Sequence, residues 1–197
     1  ADDNTAVGFN ALIANTTGTF NTAVGRTSLS GCTTGGYNTA VGNLCMDALT
    51  TGNLNTAIGR AALTDLTTGS SNAAIGLNAG EKVTSGNNNT LLGESSGGAL
   101  TTGDENVYIG YLAGKNGTAV TTGSQNVCVG GLTSNSAVDV VAEFVFGRNI
   151  IGGGTNTFRV GVTYSGTQTA TLPLNGSATA FTAASDVRLK ENITDSS

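Results

Sequence analysis

The chain has no histidine, no tryptophan, one proline and only 11% charged residues. Each shortage removes a class of explanation. Without histidine, the usual partner of a catalytic serine and a leading zinc ligand are both missing, so neither a metal site nor a cofactor is expected. The eight basic residues are scattered and the net charge is −5. No basic patch is available to neutralise phosphates, and nucleic acid is not an expected partner. No run approaches the ~20 apolar residues of a membrane-spanning helix, so membrane insertion is not expected either. Disorder needs high net charge and little to bury, whereas 38% of this chain is hydrophobic. Cys32, Cys45 and Cys128 are odd in number and lack metal-ligand spacing, which reads as buried thiols. No secretory leader opens the chain; "ADDNTAVG" starts inside a repeat, as a fragment of a longer protein would, and the missing leader then says little.

What is present is glycine, 30 residues of it, with abundant threonine and asparagine, residues of turns and strands. They fall in a fixed order. "NTAVG" stands at Asn4–Gly8, Asn21–Gly25 and Asn38–Gly42, and "NTAIG" at Asn55–Gly59. The closing glycines Gly8, Gly25, Gly42, Gly59, Gly76, Gly93 and Gly110 are each 17 residues apart. Gly130 follows after 20, because "GKNGTAV" carries a three-residue insertion, and Gly147 restores the 17. "TTG" keeps the same beat, from Thr16–Gly18 to Thr121–Gly123, with "TSG" at Thr84–Gly86. A unit this short cannot close a core alone, so neighbours must stack.

The sequence therefore predicts an all-β fold: a parallel β-helix or β-roll of 17-residue repeats. At ~4.8 Å between stacked strands, about eight coils make a rod about 40 Å long. Before each closing glycine stands an aliphatic residue: Val7, Val24, Val41, Ile58, Ile75, Leu92, Ile109, Val129. This column is expected to enter the core, with Thr5, Thr22, Thr39 and their equivalents beside it. The intervening column, Ala6, Ala23, Ala40, Ala57, Ala74, Leu91, Tyr108 and Cys128, is expected outward. There it would form an apolar stripe, the interface of a homotrimer, intertwined or side by side. A second short strand is expected near Ala11–Leu12, Ser28–Leu29, Cys45–Met46 and Ala62–Leu63, and the motif asparagines are expected to form ladders between coils. Apolar residues Leu49, Leu66, Val83, Leu100 and Val120 precede the threonine turn.

The column after each motif glycine (Phe9, Arg26, Asn43, Arg60, Leu77, Glu94, Tyr111) is chemically varied, as an exposed row would be. Tyr108, Tyr111 and the insertion Lys115–Val120 form the least regular part, where a loop could touch a glycan. Ranked threonines raise ice binding as a further class, weakened by the inward placement expected of the motif threonines. Three segments are expected: a rod at 1–133, a β-rich cap or continuation at 134–184, and a helix start at 185–197. Gly152–Gly154 marks a break, better read as a hinge than as a phosphate cradle. In the last segment Asp186, Arg188, Lys190 and Glu191 cluster against a nearly neutral background, and Leu189 and Ile193 lie four apart.

The "NTAVG/NTAIG" coils resemble the heads of trimeric autotransporter adhesins, left-handed parallel β-rolls packed as trimers, although those carry a longer motif and a shorter repeat. The stretch "SDVRLKENI" resembles the opening of the endosialidase-type intramolecular chaperone at the C-terminus of phage tail spikes and fibres. That resemblance implies a self-cleaving precursor, with Ser185 as nucleophile, Lys190 as general base and Ala184–Ser185 as the bond cut. Together these imply a structural and adhesive fibre on a virion, trimerised by its C-terminal chaperone, whose partners are its own copies and a host-surface receptor such as a glycan. A cellular autotransporter-type adhesin is the alternative. No activity is expected of this chain itself.

Overall fold

The structure, a computed structural model, describes residues 2–115, 121–163, 167–174 and 182–183. Nine short strands stack in chain order: β1 (Thr5–Val7), β2 (Thr22–Val24), β3 (Thr39–Val41), β4 (Thr56–Ile58), β5 (Ala73–Ile75), β6 (Thr90–Leu92), β7 (Val107–Ile109), β8 (Val127–Val129) and β9 (Phe144–Arg148). Each pairs in parallel with the next, so that Thr5, Thr22, Thr39 and Thr56 lie in one row. Pairing residues one repeat apart, strand after strand, makes the chain a parallel β-solenoid with one coil per repeat. The ladder runs on past residue 133, since β8 pairs with β9, and β9 with β10 (Thr157–Thr163). There the pattern changes: β11 (Thr167–Pro173) folds back antiparallel on β10, and β12 (Thr182–Ala183) on β11.

The strands are short because residues in the left-handed region bend the chain on both sides. The residue before each asparagine is one such position, with φ of 59° at Phe20 and 60° at Tyr37. The motif glycine is another, with φ of 147° at Gly42, where a Cβ would collide with the Gly59 carbonyl oxygen of the next coil. A third lies where a second strand was expected. Leu12, Leu29, Met46 and Leu63 have φ of 48–53°, so these segments are turns. Their backbone groups still pair between coils: Leu29 N donates to Cys45 O at 3.0 Å and Met46 N to Ala62 O at 3.0 Å. The threonine turn is bonded in the same way, and its hydroxyls add to it, Thr50 Oγ1 donating to Thr67 O at 2.9 Å.

The motif asparagines point inward and form the expected ladder. Asn55 donates to Asn38 Oδ1 from both its backbone N (3.0 Å) and its Nδ2 (3.1 Å), and Nδ2 also donates to Gly69 O at 2.9 Å. The same three bonds recur at Asn38, Asn72, Asn89 and Asn106. Each buried amide is thereby satisfied by the coils next to it, as a polar group in an apolar interior must be.

With asparagine inside, alternation puts the residue two further along inside as well. This reverses the expectation for the two motif columns. Ala23, Ala40, Ala57, Ala74, Leu91, Tyr108 and Cys128 are fully buried core residues, not an outer stripe. Ala6 belongs to the same column and is exposed only because β1 is the first coil of the row. The valine column faces outward: Val7, Ile58 and Ile75 are 57%, 39% and 44% exposed, and Val24, Val41, Leu92, Ile109 and Val129 are half-buried. The physical reason is the narrow interior. Leu29, Met46 and Leu63 from the turn, with Cys32, Leu49, Leu66, Val83 and Leu100 before the threonine turn, fill it from the opposite wall. A small strand residue is all that fits against them.

The asparagine ladder ends at Glu143, whose N donates to Asn126 Oδ1 at 3.0 Å. Its fully buried carboxylate accepts from Asn135 Nδ2 (3.1 Å), Ser136 N (2.9 Å) and Gly154 N (2.6 Å). A Cβ on Gly152 would collide with that carboxylate. The triple glycine therefore has a packing role, making room for a buried acid. Above it, Arg159 of β10 spans the end of the coil, Nη1 donating to Ile151 O at 2.6 Å and Nε to Thr171 Oγ1 at 3.0 Å.

Candidate self-association face

The reversal of the motif columns moves the apolar stripe. Along one side of the rod the threonine and valine columns both point outward, and from β1 to β8 neither contains a charged residue. In β1 to β4 the pair is threonine with valine or isoleucine. Among the described residues, the hydroxyls of Thr22, Thr39 and Thr56 make no hydrogen bond within the chain, unlike those of the threonine turn. Farther along, the pair becomes Val107 with Ile109, then Val127 with Val129, then Phe144 with Phe146. Phe146 also meets Phe158 of β10, ring centres 5.5 Å apart. The face thus grows bulkier and less polar from the first coil to the last.

Two exposed rims border the face. On one side, after the motif glycine, stand Phe9, Arg26, Arg60, Leu77, Glu94 and Tyr111, all exposed as the varied column was expected to be, with Asn43 half-buried. On the other, before the asparagine, stand Phe20, Tyr37, Leu54, Ser71, Asn88, Glu105 and Gln125. The Phe20 and Tyr37 rings stack at 4.8 Å with an interplanar angle of 20°, both about half exposed. Sequence reasoning missed this second rim, because its residues share no property except the left-handed backbone, which leaves no mark on side-chain type.

The other candidate residues do not gather into a site. Tyr108, expected outward in the strand column and in the irregular part where a loop could touch a glycan, is fully buried, and burial pushes its hydroxyl pKa well up. Residues 116–120 of the insertion lie outside the described residues, as do Ala184, Ser185, Lys190 and the helix assigned to 185–197. The three cysteines are buried free thiols. Burial pushes Cys45 up to about 12 and raises Cys32 and Cys128 as well, so all three are poor nucleophiles. An open polar groove of about 290 Å³ lies along Ser70, Ser71, Asn87, Asn88, Asp104 and Glu105. Its inner polar atoms bond coil to coil: Ser70 N donates to Asn87 Oδ1 at 2.9 Å and Asn87 N to Asp104 Oδ1 at 2.7 Å. Among the described residues, no three His, Cys, Asp or Glu side chains are placed to hold a metal, and no helix is long and apolar enough to cross a membrane.

No protein-family model, curated protein or solved structure matches the chain.

Proposed function

We propose that the chain is the rod of a homo-oligomeric fibre, a trimer by preference, in which copies pack through the threonine/valine face. One observation carries this reading. The interior is closed within a single chain, down to its asparagine amides, yet an uncharged, largely apolar face runs the length of the coils. A contiguous apolar face of that length marks an interface. The measurement that tests it is light scattering of the purified chain. A mass near three times 19.5 kDa is expected. Val41→Lys with Ile75→Lys should yield a folded monomer, since both side chains point outward. A monomeric parent chain overturns the reading.

The setting belongs to the same proposal. A rod of this kind on a virion, projecting toward a host-surface receptor such as a glycan, fits the resemblance of "SDVRLKENI" to the start of a tail-fibre chaperone. A cellular adhesin is the alternative. Mass analysis of a precursor that continues past residue 197 separates them. A product ending at Ala184, lost in Ser185→Ala, supports the viral reading, and an uncut precursor removes its catalytic part.

Ice binding gains one point, because the motif threonines face outward. It loses another, because Ala73, Val107, Val127 and Phe144 interrupt the threonine row. A thermal-hysteresis measurement decides it.

A further inference from the structure

We infer that the coil beginning with β9, with the sheet it carries, is a cap that opens from the rod as one unit, and that the Glu143 carboxylate is its latch. The inference concerns a single chain and does not depend on whether copies associate.

The latch begins with a change of residue at a fixed place. Glu143 stands 17 residues after Asn126, where the next ladder asparagine belongs. From Asn38 to Asn126 each Nδ2 donates twice, to the ladder carbonyl of the coil below and to a turn carbonyl. At Asn126 these bonds are 3.1 Å to Asn106 Oδ1 and 2.8 Å to Val140 O. A carboxylate has no N–H and can give neither. Glu143 accepts instead, and its donors come from two separate segments: Asn135 Nδ2 and Ser136 N before it, and Gly154 N after it. One carboxylate thus ties the turn of the coil below to the loop that leads into β10.

The interior here is also unlike that of the other coils. Four residues after the motif glycine stand Leu29, Met46 and Leu63; where that place is Gly97 or Gly114, the strand supplies Leu91 or Tyr108. After Gly130 the same place holds Ser134, and the strand supplies Cys128. Neither is large. Ser134 is fully buried and its hydroxyl has no partner, a cost that no other coil carries among the described residues. Cys128 Sγ meets Asn135 Oδ1 at 3.5 Å. The two walls are joined by hydrogen bonds to a charge rather than by a filled apolar core.

A buried charge makes that closure all-or-none. Among the described residues no cation pairs with Glu143; Arg159 Nη1 donates to Ile151 O and Gly152 O instead. Losing any one donor leaves the carboxylate underpaired in a dry interior, and the water that must enter breaks the other bonds with it. Each coil of a solenoid touches only its neighbours, so this opening need not disturb the coils before it. While the latch holds, β9 covers β8, whose edge would otherwise be free for another chain to extend.

The test is hydrogen exchange of the full chain at one protein concentration, read by mass spectrometry of its peptides. Glu143→Gln keeps the shape but turns an amide N–H2 toward the donors. Asn135→Asp brings a second carboxylate against the first. Gly152→Ala places a Cβ where the carboxylate lies. The three variants act on the latch from different segments. Each should speed exchange by about tenfold or more over the same residues, Glu143 to Val162, by one common factor, with protection from β2 to β7 within about twofold of the parent's. A different region of loss for each variant would mean local fraying and overturn the single unit. Faster exchange spread evenly through β2 to β7, loss of the whole circular dichroism signal, or no change in Glu143→Gln would each show that the carboxylate is not a latch.

Discussion

In the coils that begin with β1 to β4, the strand turns an alanine inward and the following turn supplies a large side chain: Ala23 with Leu29, Ala40 with Met46, Ala57 with Leu63. In the coils that begin with β6 and β7 the sizes are exchanged. Leu91 and Tyr108 come from the strand, and the turn carries Gly97 and Gly114. The backbone hardly notices, with φ of 51° at Leu29 and Leu63, 60° at Gly97 and 72° at Gly114. What is held constant between the two regions is the filled volume. A leucine in the left-handed region costs about 1–2 kcal/mol of backbone energy, and burying it returns about 1.5–3 kcal/mol, so the strained leucine is tolerated where it is the side chain that fills the coil. The change occurs at Gly80, above which Leu91 reaches down: a Cβ on Gly80 would lie 2.6 Å from Leu91 Cδ1 and 2.8 Å from Leu63 Cδ2.

The strongest way to break this comparison is to move the boundary. Leu91→Ala should cost about 3 kcal/mol, the usual price of a leucine-sized hole in a core. Gly80→Leu alone should also destabilise, by about 1–3 kcal/mol, because the new side chain meets Leu91. Combined, they extend the alanine/leucine pattern by one coil, and the double variant should be more stable than the sum of the two losses by at least about 1 kcal/mol. Urea unfolding of the four proteins measures this. Strict additivity would mean that the two columns do not share one volume.

A subtler test asks what the two regions have in common. The asparagine ladder runs through both with the same geometry. Asn55 makes its bonds at 3.0, 3.1 and 2.9 Å, and Asn89 at 3.0, 3.0 and 2.9 Å. Asn55→Ala and Asn89→Ala should therefore cost about the same, on the order of 2 kcal/mol each, since both leave buried carbonyl groups without a donor. A difference above about 1 kcal/mol would show that the ladder depends on which side chains fill the core beside it.

The coil was legible in the sequence because stacking demands an exact period, and glycines 17 apart leave no other reading. The asparagine ladder was legible for the same reason. The inside and outside of the strand were not. A three-residue strand gives alternation only one cycle in which to show itself, and Val24 looks like core while Ala23 looks like filler. The decisive clue was the ladder itself: if Asn21 is inside, Ala23 must be inside and Val24 out. The candidate face was misplaced by that one residue. Its second rim carried no signal, since Phe20, Leu54, Ser71 and Glu105 share a backbone angle and nothing else.

The smallest expected effect at neutral pH comes from Cys45, which occupies in β3's coil the place that Ser28 and Ser96 hold in others. All three donate to a strand carbonyl: Ser28 Oγ to Ala40 O at 3.0 Å, Cys45 Sγ to Ala57 O at 3.2 Å, and Ser96 Oγ to Tyr108 O at 2.7 Å. Cys45→Ser fits a pattern the solenoid already uses in both regions, and should change stability at pH 7 by less than about 1 kcal/mol. Alkaline pH separates the two proteins. Burial, the larger cause, holds the Cys45 thiol up at about 12, whereas in the unfolded chain it ionises near its ordinary value of about 8.5. Between those values the folded state keeps a proton that the unfolded state has released, so stability is fully present below the lower value and falls as pH rises toward the higher. At pH 10.5 the parent should have lost about 3 kcal/mol more than Cys45→Ser relative to pH 7. Urea midpoints at the two pH values measure it. Equal losses would mean that the thiol is reached by solvent, and that the coil around Ala40 and Ala57 is looser than the glycine-turned coils above it.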